Sequence, residues 1–204
     1  MTGEKKQKSS ILKYALMLFL ITLIAGSLLG LVNEVTKEPI ANSQQKAKEE
    51  AYQVVLADGK NFDENKDIQT KLETATFDGA EVTEVLEAKD ANGQLIGYVE
   101  SVTAKEGYGG DVKIAIGVSL DGTMTGFSVL SHSETAGLGA NCTTDGFKNQ
   151  FAGLKGPKVV CSKDADGTSA SFDALSGATI TSRAVAKAVT AGLSFLSDNG
   201  YTKG

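Results

Sequence analysis

The chain has 204 residues, with 20 basic against 25 acidic side chains and a formal net charge of -5. The two signs are interspersed and form no basic stripe of the kind that tracks a phosphate backbone, so a nucleic-acid partner is excluded. One histidine and two cysteines without Cys-x-x-Cys spacing rule out a multi-histidine metal site and an intrinsic zinc or iron–sulfur centre, so no metal is expected.

Residues 1–13 are polar and carry Lys5, Lys6, Lys8 and Lys13. Tyr14 to Val32 follows without a charge. As a helix this run is roughly 28 Å long, near the ~30 Å hydrocarbon thickness of a bilayer, and 14–32 reads as a transmembrane helix in membrane lipid. A secretory signal has a shorter apolar region of about 7–15 residues followed by small residues, whereas Ala25-Gly26-Ser27 lie inside this run. The lysines crowd the N-terminal side and only Lys37 closely follows the span. The expectation is a single-pass protein of the cell membrane, with a cytoplasmic N-terminus and the remainder on the extracytoplasmic face.

Glu38-Pro39 is expected to end the membrane helix, because the residue before proline is pushed away from helical angles. Segment 33–58 reads as a juxtamembrane linker and a second helix, capped by Asn42 with Gln45 three residues on, and carrying Ala47, Ala51, Val54 and Val55 at helical spacing. Residues 59–204 are of a size for one domain. Within its polar opening, Ile68, Leu72 and Ala75 mark a short helix. Val82 to Ala88, Gln94 to Val102, Asp111 to Leu120 and Thr123 to Ser131 read as strands, with hairpin turns at Asn92-Gly93 and Asp121-Gly122. The third strand alternates, with Val112, Ile114, Ile116, Val118 and Leu120 on one face and Lys113, Ala115, Gly117 and Ser119 on the other. The fold class is α+β, an antiparallel sheet with packed helices.

Three segments carry candidate chemistry. Gly107-Tyr108-Gly109-Gly110 precedes the alternating strand and permits close backbone approach; read alone it is a flexible loop or bulge. Glu134-Thr135-Ala136-Gly137-Leu138-Gly139 follows the fourth strand as a polar loop with exposed backbone donors, or an ordinary surface turn. His132 just before it has a near-neutral ordinary pKa but no partners for a catalytic triad, and is assigned a structural or solvated role. Phe147 and Phe151 suit core packing on a short helix.

The third segment is Asp173-Ala174-Leu175-Ser176-Gly177-Ala178-Thr179. After it, a helix is expected to start near Thr181, with Val185, Ala188, Val189, Gly192, Leu193 and Leu196 on its buried face and a stop at Asn199-Gly200. Small residues and a hydroxyl at a helix entrance suit a phosphate, which the free N–H groups and positive helix end attract. The plainer reading is a loop capped by Thr181 or Ser182.

The string Asp-x-x-Ser-Gly-Ala-Thr resembles the flavinylation motif of the FMN-binding domain family. The resemblance implies that a separate flavin transferase esterifies the phosphate of FMN onto Thr179, that Asp173 belongs to the sequence the transferase recognises, and that Ser176, Gly177 and Ala178 shape the attachment site. Gly107, Tyr108, Gly109 and Gly110 look like a Gly-Tyr-Gly-Gly segment of the same family and become candidate pocket residues. Glu134, Thr135, Gly137, Leu138 and Gly139 resemble its Glu-Thr-Pro-Gly-Leu-Gly loop and become candidate flavin contacts, although Ala136 replaces the usual proline and leaves that loop more backbone freedom.

Size and layout are similar to the G subunits of Rnf ion-translocating electron-transport complexes, with the C subunits of sodium-translocating NADH:quinone reductases as longer relatives. The implied role is a covalent FMN electron relay between ferredoxin- and NAD-linked cofactors, working with membrane, iron–sulfur and flavin subunits and not turning over substrate alone. The rival readings are a flavinylated extracytoplasmic carrier of another redox system and a non-redox, membrane-anchored ligand-binding domain. The sequence leaves the pairing of Cys142 and Cys161 open.

Overall fold

A computed structural model describes residues 3–203, with side chains from Ile11 onward. The chain divides into two compact units, Met1–Lys46 and Ala47–Gly204. Helix α1, Gly3–Val55, runs through Pro39. The break expected at Glu38-Pro39, and the separate helix capped by Asn42, are therefore absent. Proline in a helix costs about 3 kcal/mol, and the helix formers on both sides of it, among them Glu38, Ala41, Gln44, Gln45 and Lys46, offset that cost.

In the first unit, the large apolar side chains between Ile11 and Val35 are exposed. A helix this apolar and this long, with its surface uncovered, suits lipid and not water. Lys5, Lys6 and Lys8, which set the expected orientation, lie outside the residues whose side chains are described.

The second unit is built on a five-stranded antiparallel sheet in sequential order: β1 (Asn61–Glu64), β2 (Ala80–Lys89), β3 (Leu95–Ala104), β4 (Val112–Ser119) and β5 (Met124–Ser131). The four expected strands are present. β1 escapes the sequence reading because Asn61-Phe62-Asp63-Glu64 is short and polar. The turn glycines Gly93 and Gly122 have φ of 78° and 82°, which side-chain-bearing residues adopt poorly. Helix α2 (Lys66–Thr74) is capped by the Asn65 side chain accepting from the Asp67 N–H at 2.9 Å and buries Ile68.

Beyond β5, the short helix α3 (Asp145–Lys148) and the parallel pair β6 (Val159–Cys161) and β7 (Ala170–Phe172) lead into helix α4 (Thr179–Asp198). Helix α4 lies across one face of the sheet. It buries Val185, Ala188, Val189, Leu193 and Leu196 with Val102, Ile114, Ile116 and Val118 in the main core. The other face is covered by the end of α1, where Ala51, Tyr52 and Val55, with Leu56, pack with Leu86, Ala88, Val99 and Ala115. The second face of β4 is thus an interface in its own right, and Ala115 is fully buried. Gly117 and its register partner Gly126 make the approach possible: a Cβ on Gly126 would stand 2.7 Å from Val55 Cα. The Thr125 hydroxyl donates to the Val55 carbonyl at 2.5 Å, satisfying an acceptor at the helix end.

Phe127, Phe147, Phe151 and Phe172 form one aromatic cluster, with the Phe127 and Phe151 rings stacked at 4.2 Å between centroids. β6 is tied to α4 by Thr190, whose hydroxyl accepts from the Val159 N–H and donates to the Val159 carbonyl, each at 3.0 Å.

Glu100 on β3 is fully buried, and among the described residues neither of its carboxyl oxygens has a hydrogen-bond partner. Gly192 of α4 leaves the room it occupies. Burial pushes its pKa from 4.5 to about 8, so the folded chain keeps a proton that the unfolded chain has lost. Stability is therefore expected to fall as pH rises from about 4.5 to about 8, with a slope near 1.4 kcal/mol per pH unit for this one group. Glu100→Gln should flatten that part of the profile in denaturant unfolding measured across the range.

Candidate functional site

The Asp173-to-Thr179 string forms the turn that feeds α4. Gly177 takes φ of 72°, and the Ala178 N–H donates to the Leu175 carbonyl at 3.1 Å. The Ser182 hydroxyl stitches this turn to the helix, accepting from the Leu175 N–H at 2.9 Å and donating to the Ala178 carbonyl at 3.0 Å. α4 begins at Thr179, two residues before the expected Thr181, and Ala178 occupies the cap position with no side-chain cap bond. The N–H groups of Thr179, Ile180 and Thr181 consequently have no carbonyl one turn earlier to donate to. No acidic residue stands in the first turn to neutralise the positive helix end. Thr181 and Ser182, the caps of the plainer sequence reading, are engaged elsewhere.

The nearby hydroxyls differ sharply in availability. Thr181 and Ser182 are fully buried. Thr181 donates to Glu134 Oε2 at 2.8 Å, while Ser182 holds the turn. Ser176 is exposed beside Gly177. Thr179 is half-buried, and among the described residues its hydroxyl has no hydrogen-bond partner.

Thr179 opens into a cavity of about 460 Å³ lined by Tyr108, Glu134, Thr135, Leu138, Gly139 and the start of α4 from Gly177 to Thr181. Tyr108, Leu138 and Ile180 give it an exposed apolar rim, at 69%, 43% and 51% accessibility. The floor is organised around Glu134. Its Oε1 accepts from the Gly109 N–H at 3.2 Å, and its own N–H donates to His132 Nδ1 at 3.2 Å, giving the lone histidine a structural role in the turn. A Cβ on Gly107 would lie 2.7 Å from Glu134 Oε1, one on Gly109 3.1 Å from Glu134 Cα, and one on Gly139 2.6 Å from Thr181 Oγ1. Glycine is the residue that lets these backbones close on the carboxylate.

Both cysteines are buried and unbridged. Burial, with the Glu134 carboxylate nearby, pushes the Cys142 thiol up to about 11 and keeps it protonated and inert. The Cys161 thiol donates to Asp164 at 3.3 Å. Asp164 also takes both arms of a bidentate contact from Arg183 at 2.7 and 2.8 Å, which holds its carboxyl down to about 2.

Residues 107–194 match the FMN-binding domain family, and residues 1–55 match the RnfG N-terminal region. The G subunit of the Na(+)-translocating ferredoxin:NAD(+) oxidoreductase complex of Acetobacterium woodii is 33% identical over 196 residues, covering 91% of this chain and 94% of the relative. The chain belongs to the family of G subunits of ion-translocating oxidoreductase complexes. Its counterpart in the proton-translocating ferredoxin:NAD(+) oxidoreductase complex of Clostridium ljungdahlii is 31% identical over 187 residues, covering 92% of each chain. Among solved structures, the C subunit of the Na(+)-translocating NADH-quinone reductase from Parabacteroides distasonis aligns at 26% identity with a TM-score of 0.47, over 55% of this chain and 62% of that one, less than two thirds of its length.

In this family member, the cavity gathers Tyr108, Glu134, Thr135, Leu138, Gly139, Gly177, Ala178 and Thr179 from three segments distant in sequence. Gly107, Gly109, Gly110, Gly137 and Ser176 stand outside its lining. Gly107 and Gly109 instead press on Glu134 and Ser133 from behind, and Gly110 and Gly137 supply positive φ. Asp173 is exposed, its N–H held by the Gln150 side chain at 2.7 Å. The sequence reading does not place Ile180 or Thr181 in the cofactor pocket. Ile180 has a local signal, an apolar residue exposed in the first turn of a helix. Thr181 has none, since its partner lies 47 residues away. Gly139→Ala would drive a methyl group between Thr181 and Glu134, and a loss of about 1–3 kcal/mol in unfolding free energy is expected in chemical denaturation of the detergent-solubilised chain.

Proposed function

We propose that this chain carries FMN esterified through its phosphate to Thr179 and relays electrons between ferredoxin- and NAD-linked cofactors of a membrane-bound, ion-translocating complex. The observation that carries the reading is the conjunction at one point of a free threonine hydroxyl, an uncapped helix N-terminus and a rimmed cavity. The FMN-binding domain match spans all three.

The residues present fit such a group. The unpartnered N–H groups at the start of α4 suit a phosphate dianion, and the positive helix end favours it by roughly 0.3–1 kcal/mol or more when partly buried. The apolar side chains of Tyr108, Leu138 and Ile180 suit a planar aromatic ring, and the cavity falls in the range of about 300–1,000 Å³ common to cofactor sites. When bound, a flavin supplies electron transfer in single or paired steps. The chain's contribution is to hold, orient and shield it. The short Gly177 and Ala178 side keeps the backbone close to the phosphate, and a covalent tether prevents loss of the cofactor from an exposed face.

Selection among the hydroxyls follows from what each already does. Thr181 and Ser182 are buried and committed to Glu134 and to the Leu175–Ala178 turn, whereas Thr179 is open. Asp173, on the surface just ahead of the site, is where a flavin transferase would read the chain. Helix α1 anchors the protein in a single pass, and Lys5, Lys6, Lys8 and Lys13 favour a cytoplasmic N-terminus, with the FMN domain on the extracytoplasmic face beside the rest of the complex.

Coexpression with a flavin transferase should add the mass of FMN less one water, mapped to the peptide containing Thr179. Thr179→Ala should abolish that increment and the in-gel flavin fluorescence while the chain stays folded, and Ser176→Ala should keep both. An unmodified wild-type chain under these conditions would overturn the assignment.

A further inference from the structure

Glu134 is a carboxylate in an unusual position for a surface loop. It is 8% exposed, and among the described residues no lysine, arginine or histidine forms an ion pair with it. Each oxygen has a protein donor: Oε2 the Thr181 hydroxyl in the first turn of α4, Oε1 the Gly109 N–H in the loop before β4. These partners are 47 and 25 residues away in sequence: Thr181 lines the cavity beside Thr179, and Gly109 follows Tyr108, which lines it from another segment. The backbones of Gly107 and Gly139 abut the carboxylate, and that of Gly109 abuts Ser133, so closely that no Cβ fits. A buried charge is retained at a net cost unless its hydrogen bonds are made, so any movement of either wall away from Glu134 is opposed by the desolvation of that charge.

We infer that Glu134 is a positioning residue, which fixes the spacing between the Tyr108 loop and the N-terminus of α4 and so sets the environment of the bound flavin through its two protein donors and not through a contact of its own. This rests on the FMN reading of the cavity. The glutamate arm then acts mechanically, as a strut of fixed reach. Aspartate would fall short of one donor, and leucine, of similar size, offers neither donor an acceptor. Thr181 becomes the second member of the device, because its hydroxyl is the link to the helix that carries Thr179.

The test is a double-mutant cycle on the full-length, flavinylated chain in detergent, with Glu134→Leu, Thr181→Val, the pair, and Thr181→Ser as the conservative control. The readouts are the flavin reduction potential and visible circular dichroism, with flavin loading checked by intact mass. The expected result is that each single substitution shifts both readouts in the same direction, that the pair shifts them little further than one alone, and that Thr181→Ser restores wild-type values. A shift with Glu134→Leu and none with Thr181→Val overturns the inference, since the carboxylate would then act on the flavin directly. Melting temperatures that fall with potential and spectrum unchanged also overturn it, because the pair would be merely structural. A wild-type chain that gains no flavin mass sinks the cofactor reading separately. The cycle is then read on the apoprotein by thermal unfolding, where additive losses would show that no clamp exists.

Discussion

The packing of α4 across the sheet is the constraint on which the site depends. Val185, Ala188, Val189, Leu193 and Leu196 fix the helix against Val102, Ile114, Ile116 and Val118, and Thr190 locks it to β6. Once that seam is closed, the helix start has one place to be. Its first turn projects beyond the packed face with Ala178 at the cap position, leaving three N–H groups and one hydroxyl at a cavity and not consumed by the fold. A serine or aspartate at position 178 would satisfy the helix locally and take away what a phosphate needs.

Glycine does two separate jobs in the same domain. At Gly117 and Gly126 the missing side chains let the end of α1 lie directly on the sheet, so that a helix closes the second face of the core. At Gly107, Gly109 and Gly139 they let two loops close around the Glu134 carboxylate. Both are close-approach roles, and both replace side-chain packing by backbone contact at a point where a hydrogen bond is being made, Thr125 to Val55 in one case and Thr181 to Glu134 in the other.

The polar chemistry around the cavity is divided by burial. Thr181, Ser182, His132 and Cys142 hold or fill structure, and each is either hydrogen-bonded or kept in its neutral form. Thr179 and the rim residues Tyr108, Leu138 and Ile180 are left accessible. That division allows a string rich in hydroxyls to present one of them, Thr179, to the cavity. It also explains why Asp164, although close in sequence to the motif, is absorbed by Arg183 and Cys161.

The sequence by itself determined the apolar span, the four strands with their Asn-Gly and Asp-Gly turns, the buried face of α4 and the motif ending at Thr179, because each is written in local pattern or in a contiguous string. Tertiary structure alone decided that α1 continues through Pro39, that Ala115 and Gly117 face a second helix, that Glu100 is sealed in the core, and that Thr181 answers Glu134. In each of those cases the partner lies many residues away or the choice depends on summed packing free energy, which no local pattern records. The candidate site itself sits across that divide. Its hydroxyl is legible in seven consecutive residues, whereas the cavity beside that hydroxyl is lined by three segments distant in sequence, of which the Glu134 side chain bonds two to its own.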